Sequence, residues 1–574
     1  MIGPGSARIV FWLFSPALAL LILAGCATPP PPTVALAPTA TPGLMEPPTP
    51  EHGHVKERHE PGPTSGSVAA LVLVRRLDGV NSHEGGPGVV GERFGISATA
   101  DDMDGDRVPD IVVGAPRADV SGSPGTNEGA VFVYSGAALL KGMGAEEALL
   151  YRIKGEATTN GTGELGFRQS IATADFDQDG LPELVVGAWL ADPSINGVPQ
   201  VDAGTAFVFS GAGLLGRVRQ HEAILFRLDG ESGSRLGRPV ALVGDMNRDG
   251  TPDFFVGAHR ASPRGLEHSG SGYLVSGADF SILKRFDGGG TNDFLGRSVM
   301  SLGDLNGDGH LDLAIGASQG DGGQAGGIPA GPGYVQVYSG KDYSLLYRLT
   351  APQDEPIGSF GQSTVYTPAP GAGADFNGDG VPDIIVGSPE AQAGFLEPPG
   401  GPPGKEGYPR TGSVYVFSGA DFSLLYRFNG ERGTAQADPG APSHESPTGV
   451  SPAGNVGDIF GDAIAVVPDL DGDGTPEIVI GAPRGDGRNP DGSYPADLID
   501  SGYVKVFSGK RGTLLARFNG AGRGTNMGHH ITGVADVNGD GSPDLLIGSD
   551  LTDYGGTDAG SLYWYTVQVT SPVE

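Results

Sequence analysis

The sequence predicts an all-β fold, a seven-bladed β-propeller of four-stranded antiparallel blades. Three observations predict it. A nine-residue acidic loop recurs seven times, four β-rich phrases return in a constant order around the copies, and the last copy lacks its fourth phrase, which appears instead near the N-terminus. The loops begin roughly 60 to 95 residues apart, and short strands repeated in this way are typical of propeller blades.

Each loop carries acidic or amide residues at positions one, three, five and nine. The copies read DMDGDRVPD, DFDQDGLPE, DMNRDGTPD, DLNGDGHLD, DFNGDGVPD, DLDGDGTPE and DVNGDGSPD. The residues at those four positions are Asp102, Asp104, Asp106 and Asp110; Asp175, Asp177, Asp179 and Glu183; Asp245, Asn247, Asp249 and Asp253; Asp304, Asn306, Asp308 and Asp312; Asp375, Asn377, Asp379 and Asp383; Asp469, Asp471, Asp473 and Glu477; Asp536, Asn538, Asp540 and Asp544.

Alternate side chains of a tight loop converge on one point, and oxygen ligands at this spacing suit Ca²⁺ better than zinc or copper. A single loop of this composition would be explained by the turn preferences of Asp, Asn and Gly, but seven copies favour metal binding. An EF-hand needs a glutamate at position twelve, where these loops have apolar residues such as Val113 and Val186. We therefore expect up to seven structural Ca²⁺ ions, bound between strands.

The phrases around the loops supply the four strands. Each loop is preceded by a large apolar residue followed by glycine, and it runs into a β-rich segment that ends in Gly-Ala-Pro or a relative. The apolar-glycine pairs are Phe94-Gly95, Leu165-Gly166, Leu236-Gly237, Leu295-Gly296, Phe360-Gly361, Phe460-Gly461 and Met527-Gly528. A third phrase such as GAVFVYSG and a fourth such as LYRIKG complete the repeat.

The missing fourth phrase of the last repeat predicts how the ring closes. Residues 71–79 read LVLVRRLDG, which matches the fourth phrase, and they precede the first repeat. We expect an N-terminal strand within 67–79 to complete blade seven, because closure removes exposed sheet edges. The propeller would span 67–570, with repeats from about 91, 161, 232, 291, 357, 456 and 524, and a tail at 571–574.

These phrases resemble the FG-GAP repeats of the integrin α-subunit N-terminal β-propeller, which also occur in bacterial surface proteins. The resemblance covers nearly all of 67–570, and it implies calcium in the loops between the first and second strands. Blade one departs from the pattern, because Arg107 stands where the other six loops have glycine. We expect blade one to bind calcium most weakly, since a residue other than glycine in a left-handed conformation costs about 1 kcal/mol.

The N-terminus reads as an export signal, residues 1–25, followed by Cys26. Its end, Leu23-Ala24-Gly25-Cys26, resembles the lipobox of bacterial lipoproteins, which implies an acylated Cys26 anchored in the outer membrane or at the cell surface. An uncleaved anchor or an ordinary signal peptide is the alternative. Residues 26–66 are rich in Pro, Thr and Ala, and this composition predicts a disordered tether.

The formal net charge of −32 argues against a nucleic-acid partner, because phosphate binding requires neutralising cations. A ligand patch is expected instead in long insertions around blades five and six, 390–411, 431–458 and 485–501, since loops on a rigid scaffold carry specificity. Its candidate residues are Phe395, Lys405, Tyr408, Arg410 and Tyr494. Tolerated surface decoration is the alternative explanation of these insertions.

The sequence contains no His-Glu-x-x-His motif. We therefore predict a non-enzymatic, monomeric binding module for a protein or polysaccharide ligand, in adhesion or surface assembly. The alternative is a hydrolase or lyase whose active site is built from propeller loops. The tripeptide Arg484-Gly485-Asp486 is attributed to chance.

Overall fold

The computed structural model describes residues 68–79, 91–120, 126–156, 163–320, 331–352, 359–364, 373–391, 411–431, 457–489, 493, 495–534, 536–553 and 558–570. Cys26, the tether, and the patch residues Phe395, Lys405, Tyr408, Arg410 and Tyr494 lie outside these ranges.

Seven four-stranded antiparallel sheets account for twenty-eight of the strands in the described ranges. The N-terminal strand is β1 (Val68–Asp78). Blade one contains β2 (Ala98–Asp101), β3 (Asp110–Ala115), β4 (Ala130–Tyr134) and β5 (Leu149–Lys154), and blade two contains β6 (Ile171–Ala174), β7 (Glu183–Ala188), β10 (Thr205–Phe209) and β11 (Ile224–Asp229), with a small hairpin of β8 (Ser194–Ile195) and β9 (Val198–Pro199) between β7 and β10. Blade three contains β12 (Val240–Gly244), β13 (Asp253–Ala258), β14 (Ser271–Val275) and β15 (Ile282–Asp287).

The remaining blades repeat the same order. Blade four contains β16 (Leu295–Ser301), β17 (Leu313–Ala317), β18 (Tyr334–Tyr338) and β19 (Leu345–Thr350). Blade five contains β20 (Ser363–Thr364), β21 (Ile384–Ser388), β22 (Ser413–Phe417) and β23 (Leu424–Asn429), and blade six contains β24 (Ile464–Val467), β25 (Glu477–Ala482), β26 (Tyr503–Phe507) and β27 (Leu514–Asn519). Blade seven contains β28 (Met527–Val534), β29 (Asp544–Ser549), β30 (Ser561–Thr570) and β1.

Helices are short and lie between strands. They are α1 (Gly136–Leu140), α2 (Ala145–Ala148), α3 (Gly211–Leu215) and the 3₁₀ turns Gln220–Glu222, Pro263–Gly265 and Ala496–Leu498. None of the helices in the described part of the chain has the length and apolar character needed to cross a membrane.

Strand position explains the sequence pattern. Second strands such as Asp110–Ala115 are buried at every residue, because each sheet packs between two others, and they therefore read as continuous β-branched runs. Fourth strands are less buried, and in blade two, Ile224–Asp229, partly buried and exposed residues follow one another. First strands of neighbouring blades contact one another around the centre, for example β2 with β6 and with β28.

The predicted ring closure is confirmed. β1 pairs antiparallel with β30, from Val68 opposite Thr570 to Asp78 opposite Ser561. The Ser561 hydroxyl donates a hydrogen bond of 2.7 Å to the Asp78 carboxylate at the end of this pairing. The two ends of the described propeller are therefore joined within one sheet, and blade seven needs both of them.

Adjacent blades meet backbone to backbone at two glycines, which explains why the sequence repeats them. A Cβ added at Gly114, in the second strand of blade one, would lie 2.2 Å from the carbonyl oxygen of Gly166 in blade two. The same contact closes the ring, where a Cβ at Gly548 would lie 2.1 Å from the carbonyl oxygen of Gly95. Any side chain at these positions would push two blades apart.

Candidate metal centre

The seven acidic loops lie where the sequence predicts them, between the first and second strands of each blade. All seven therefore lie on the same face of the propeller, because every first strand runs toward that face. The residue at position two is apolar and anchors the loop in the core; Met103, Met246 and Phe376, for example, are each 1% exposed or less. The strands on both sides also exclude the EF-hand alternative, which requires helices.

The backbone of each loop folds around the carboxylate at position one. In blade five, the Asp375 carboxylate accepts backbone N–H hydrogen bonds from Gly378 at 2.6 Å, Asp379 at 3.1 Å and Gly380 at 2.7 Å. The position-five carboxylate, Asp379, accepts another from Val381 at 2.8 Å. These bonds hold the loop in a single tight turn around the carboxylate of Asp375.

The position-nine carboxylates are the most constrained members of the set. All seven are completely buried, and they are Asp110, Glu183, Asp253, Asp312, Asp383, Glu477 and Asp544. Asp253 accepts N–H hydrogen bonds from Met246 at 2.9 Å, within its own loop, and from Gly277 at 3.1 Å, after the third strand. Each of these carboxylates therefore connects its loop to the sheet by hydrogen bonds, and its oxygen atoms lie inside the loop.

Three position-nine carboxylates have a buried oxygen without a hydrogen-bond partner among the described residues: Asp110 Oδ2, Glu183 Oε1 and Glu477 Oε1. Burial, together with repulsion from the other carboxylates of each loop, raises the pKa of the Asp110 carboxyl to about 7 and that of Glu477 to about 8. A buried, partnerless carboxylate oxygen is unfavourable unless a cation compensates it.

The same three loops bring ligand oxygens together. Asp469, Asp471, Asp473 and Glu477 each place a carboxylate oxygen within 4.8 Å of the others, as do Asp102, Asp104 and Asp110, and Asp175, Asp177 and Glu183. Carboxylates held this close repel one another in the absence of a cation. This arrangement of buried and exposed oxygen ligands fits a hard divalent ion.

In the four loops with asparagine at position three, the side-chain amide donates a hydrogen bond to the carboxylate at position five. Asn247 Nδ2 donates to Asp249 Oδ2 at 2.8 Å, and Asn377 Nδ2 donates to Asp379 Oδ2 at 2.8 Å. The amide oxygen remains available as a neutral ligand. These loops therefore carry one charge fewer than the all-carboxylate loops.

The loop of blade six also contains a basic neighbour. Arg511 pairs with Asp471 and, at 3.2 Å, with Asp473. Its side chain is 48% exposed, so it can turn away into solvent when another cation enters.

The strain that led us to expect the weakest calcium binding in blade one also occurs in other loops. Arg107 does have a left-handed conformation, with φ of 70°. Position four is left-handed as well, and there blades two and three carry Gln178 and Arg248, with φ of 60° and 63°. Three loops therefore hold one strained residue each, and Arg107 does not by itself set blade one apart.

Two other motifs belong to the folded core. Trp189 is 4% exposed, its ring stacks on Phe167 at 4.9 Å, and its indole N–H donates to Glu164 at 2.8 Å. Asp486, the acidic residue of the Arg-Gly-Asp tripeptide, is 6% exposed and accepts a hydrogen bond from the Asp500 N–H. Neither is presented to a partner as an exposed side chain.

Sequence reasoning missed a polar cavity at the centre of the propeller, which we call the axial cavity. Its volume is about 20 Å³. It is lined by Ile96, Arg168, Gln169, Arg238, Arg297, Gln362, Asp462, Ala463, Ile464, His529, His530 and Ile531. Six of these residues directly follow the glycine of an apolar-glycine pair, and this constant register position was the signal that could have identified the cavity.

Comparison with known proteins supports the repeat assignment. The FG-GAP repeat model matches residues 94–134, 167–209, 295–338, 368–417, 460–494 and 530–564. Similar proteins include integrin alpha-E of Mus musculus (34% identity over 30% of this chain and 15% of that protein) and integrin alpha-PS2 of Drosophila melanogaster (27% identity, 46% and 18%). Another is phosphatidylinositol-glycan-specific phospholipase D of Homo sapiens (31% identity, 33% and 19%). The matches span less than a fifth of each of these relatives. The chain thus contains FG-GAP repeats and forms an integrin-like β-propeller.

Proposed function

We propose that this chain is an exported, lipid-anchored β-propeller, stabilised by up to seven Ca²⁺ ions, that binds a protein or polysaccharide ligand in adhesion or surface assembly. The observation that carries the calcium part of the proposal is the set of seven completely buried carboxylates, one at the end of each acidic loop.

Calcium would be bound at positions one, three, five and nine of each loop. The buried position-nine oxygens and the clustered carboxylates of blades one, two and six support it, because a cation would relieve both their repulsion and their desolvation. Metal binding to such loops is coupled to folding. A site held at a hundred times its dissociation constant stabilises the folded chain by about 2.7 kcal/mol.

Ligand binding is supported by the similarity to integrin α subunits and by the arrangement of the loops. The connections between second and third strands leave the face opposite the acidic loops, and the insertions around blades five and six belong to these and to the connections between blades. Phe395, Lys405, Tyr408, Arg410 and Tyr494 are our candidates for ligand contacts within them. We propose that the propeller is monomeric and anchored by a lipid at Cys26.

Thermal melting of the full chain in detergent tests the role of calcium. We expect a melting temperature that falls by many degrees in excess EGTA and recovers when calcium is restored. An unchanged midpoint would overturn the structural role of the metal.

Adhesion and anchoring need separate measurements. A glycan array and a cell-binding assay, each run with calcium and with EGTA, should show binding that depends on calcium. If the protein instead hydrolyses or cleaves a glycan and does not stay bound to it, the enzyme alternative is favoured. Metabolic labelling with a fatty acid should mark the wild type and not Cys26→Ser, and equal labelling of both would contradict the anchor.

A further inference from the structure

The axial cavity has a charge opposite to that of the rest of the protein. Its lining residues include three arginines, Arg168, Arg238 and Arg297, and one carboxylate, Asp462, whereas the whole chain has a net charge of −32. The arginines come from blades two, three and four, so no local sequence cluster brings them together. Their convergence is a property of the ring.

The one carboxylate in the lining is already engaged. Asp462 Oδ1 accepts a hydrogen bond of 3.2 Å from Arg168 Nη1, and its Oδ2 lies 3.3 Å from His529 Nε2. The other nitrogen of His529, Nδ1, lies 2.7 Å from Asp550, which is completely buried. Asp462 therefore pairs with Arg168 and lies beside His529, and it is the one carboxylate among three arginines in the lining.

No ion pair joins Arg238 to a carboxylate within the described part of the chain, and Asp462 attracts it only at longer range. Its guanidinium carbon lies 4.7 Å from the ring centre of Phe167 and 5.2 Å from that of Trp189, so aromatic faces hold it in place. Burial, and then the charges of Arg297 and Arg168, lower its pKa well below the usual range. A partly buried cation between two other cations is unfavourable unless an anion approaches it.

The cavity is small, and its volume of about 20 Å³ admits one or two water-sized groups. Guanidinium groups present parallel N–H donors that match a planar carboxylate. A tetrahedral oxyanion is bulkier and needs more room. The Arg168 side chain, which contributes to the lining, is 18% exposed to solvent.

We propose that the axial cavity binds a carboxylate group, held by Arg238 together with Arg297 and Arg168. This inference rests on the proposed ligand-binding function, because it names the chemistry of one ligand group. The cavity lies at the start of the first strands, on the face opposite the acidic loops. That is the face from which the insertions of blades five and six leave, so a carboxylate could be one end of a larger ligand.

The test is a calorimetric titration of the full chain, in detergent and saturating calcium, with sodium acetate at constant ionic strength. We expect saturable binding that Arg238→Gln weakens at least tenfold and that Arg217→Gln, a change at an exposed arginine away from the cavity, leaves unchanged. Asp462→Asn should strengthen acetate binding several-fold, because it removes the competing carboxylate. Equal acetate affinity in the wild type and Arg238→Gln would overturn the proposal.

Further arms distinguish the sources of the carboxylate. Tighter binding of digalacturonate than of acetate would indicate that the bound carboxylate belongs to an acidic polysaccharide. Binding of acetate alone would indicate a free small carboxylate. Sulfate that competes as well as acetate would overturn the carboxylate assignment. If Arg238→Gln does not fold, as judged by circular dichroism, Arg238→Lys keeps the charge without the planar donors and should still bind at least several-fold more weakly.

Failure of this inference can be told apart from failure of the proposed function. Calcium-dependent cell binding by a wild type that does not bind acetate would overturn the cavity assignment and leave the adhesion proposal standing. Acetate binding without any cell or glycan binding would do the reverse.

Discussion

His530 Nε2 lies 2.9 Å from both the backbone nitrogen and the carbonyl oxygen of Ala98. His530 belongs to the first strand of blade seven, and Ala98 begins the first strand of blade one. The Thr532 hydroxyl, 2.8 Å from the same imidazole nitrogen, completes the network. A buried histidine therefore fastens the first and last blades at the centre, while the pairing of β1 with β30 fastens them at the rim.

This contact predicts sensitivity to acid. Burial, the largest cause, and the neighbouring His529 together lower the pKa of His530 to about 4, although the hydrogen bond with Ala98 acts in the opposite direction. Below the ordinary histidine pKa of about 6.5 the unfolded chain binds a proton that the folded chain does not, so stability falls as the pH drops from about 6.5 to 4. The loss attributable to His530 is about 3 kcal/mol.

Denaturant unfolding at pH 7 and pH 4.5, in the same calcium buffer, measures this effect. His530→Gln keeps a hydrogen-bonding side chain without a titrating group, so we expect it to lose less stability between the two pH values than the wild type. Equal losses in both proteins would show that His530 does not carry the acid response.

The glycine contact between blades predicts a large effect of one methyl group. Gly548→Ala would place its Cβ 2.1 Å from the Gly95 carbonyl oxygen, and we expect it to destabilise the fold by about 3 kcal/mol or more. Gly522→Ala is the control, because no atom lies within 4 Å of its added Cβ, and its effect should stay within about 0.5 kcal/mol. Similar melting temperatures for the two variants would mean that the blades separate without cost.

We expect substitution of Glu477 to have opposite effects on stability in the presence and absence of calcium. Glu477→Gln should remove about one bound Ca²⁺ and lower stability in calcium by about 2 to 3 kcal/mol. In EGTA the same change should raise the melting temperature, because it replaces a carboxyl that must either be buried charged beside Asp469, Asp471 and Asp473 or take up a proton on folding. Equilibrium dialysis and melting measure the two effects. Glu267→Gln, an exposed acidic residue outside the loops, should change neither, and a fall in both buffers would assign Glu477 to packing alone.

The loop conformations predict opposite effects of reciprocal substitutions. Arg107→Gly should stabilise the fold by about 1 kcal/mol, because it removes a left-handed non-glycine residue. Gly380→Arg should destabilise it by a similar amount, since Gly380 has φ of 86° and space around its Cβ. Unfolding in calcium measures both. Changes of the same sign would exclude backbone strain as the cause.

Much of the fold followed from local sequence. Seven loops, each followed by the same β-rich run, predict blades one by one, and the unmatched phrase at 71–79 predicts the pairing that β1 and β30 make. The metal ligands could be proposed because positions one to nine are close along the chain. Left-handed backbone at Gln178 and Arg248 was not foreseen, because the loop motif allows any residue at position four and the sequence there shows no glycine.

The sequence by itself determined the number of blades, the strand that closes the ring and the positions of the acidic loops, because each of these depends on a short pattern that repeats. Only the tertiary structure decided that Gly548 must meet Gly95, that His530 must meet Ala98, and that three arginines from different blades must share one cavity. These contacts join residues from different blades, and they arise only when seven sheets are packed around a common axis.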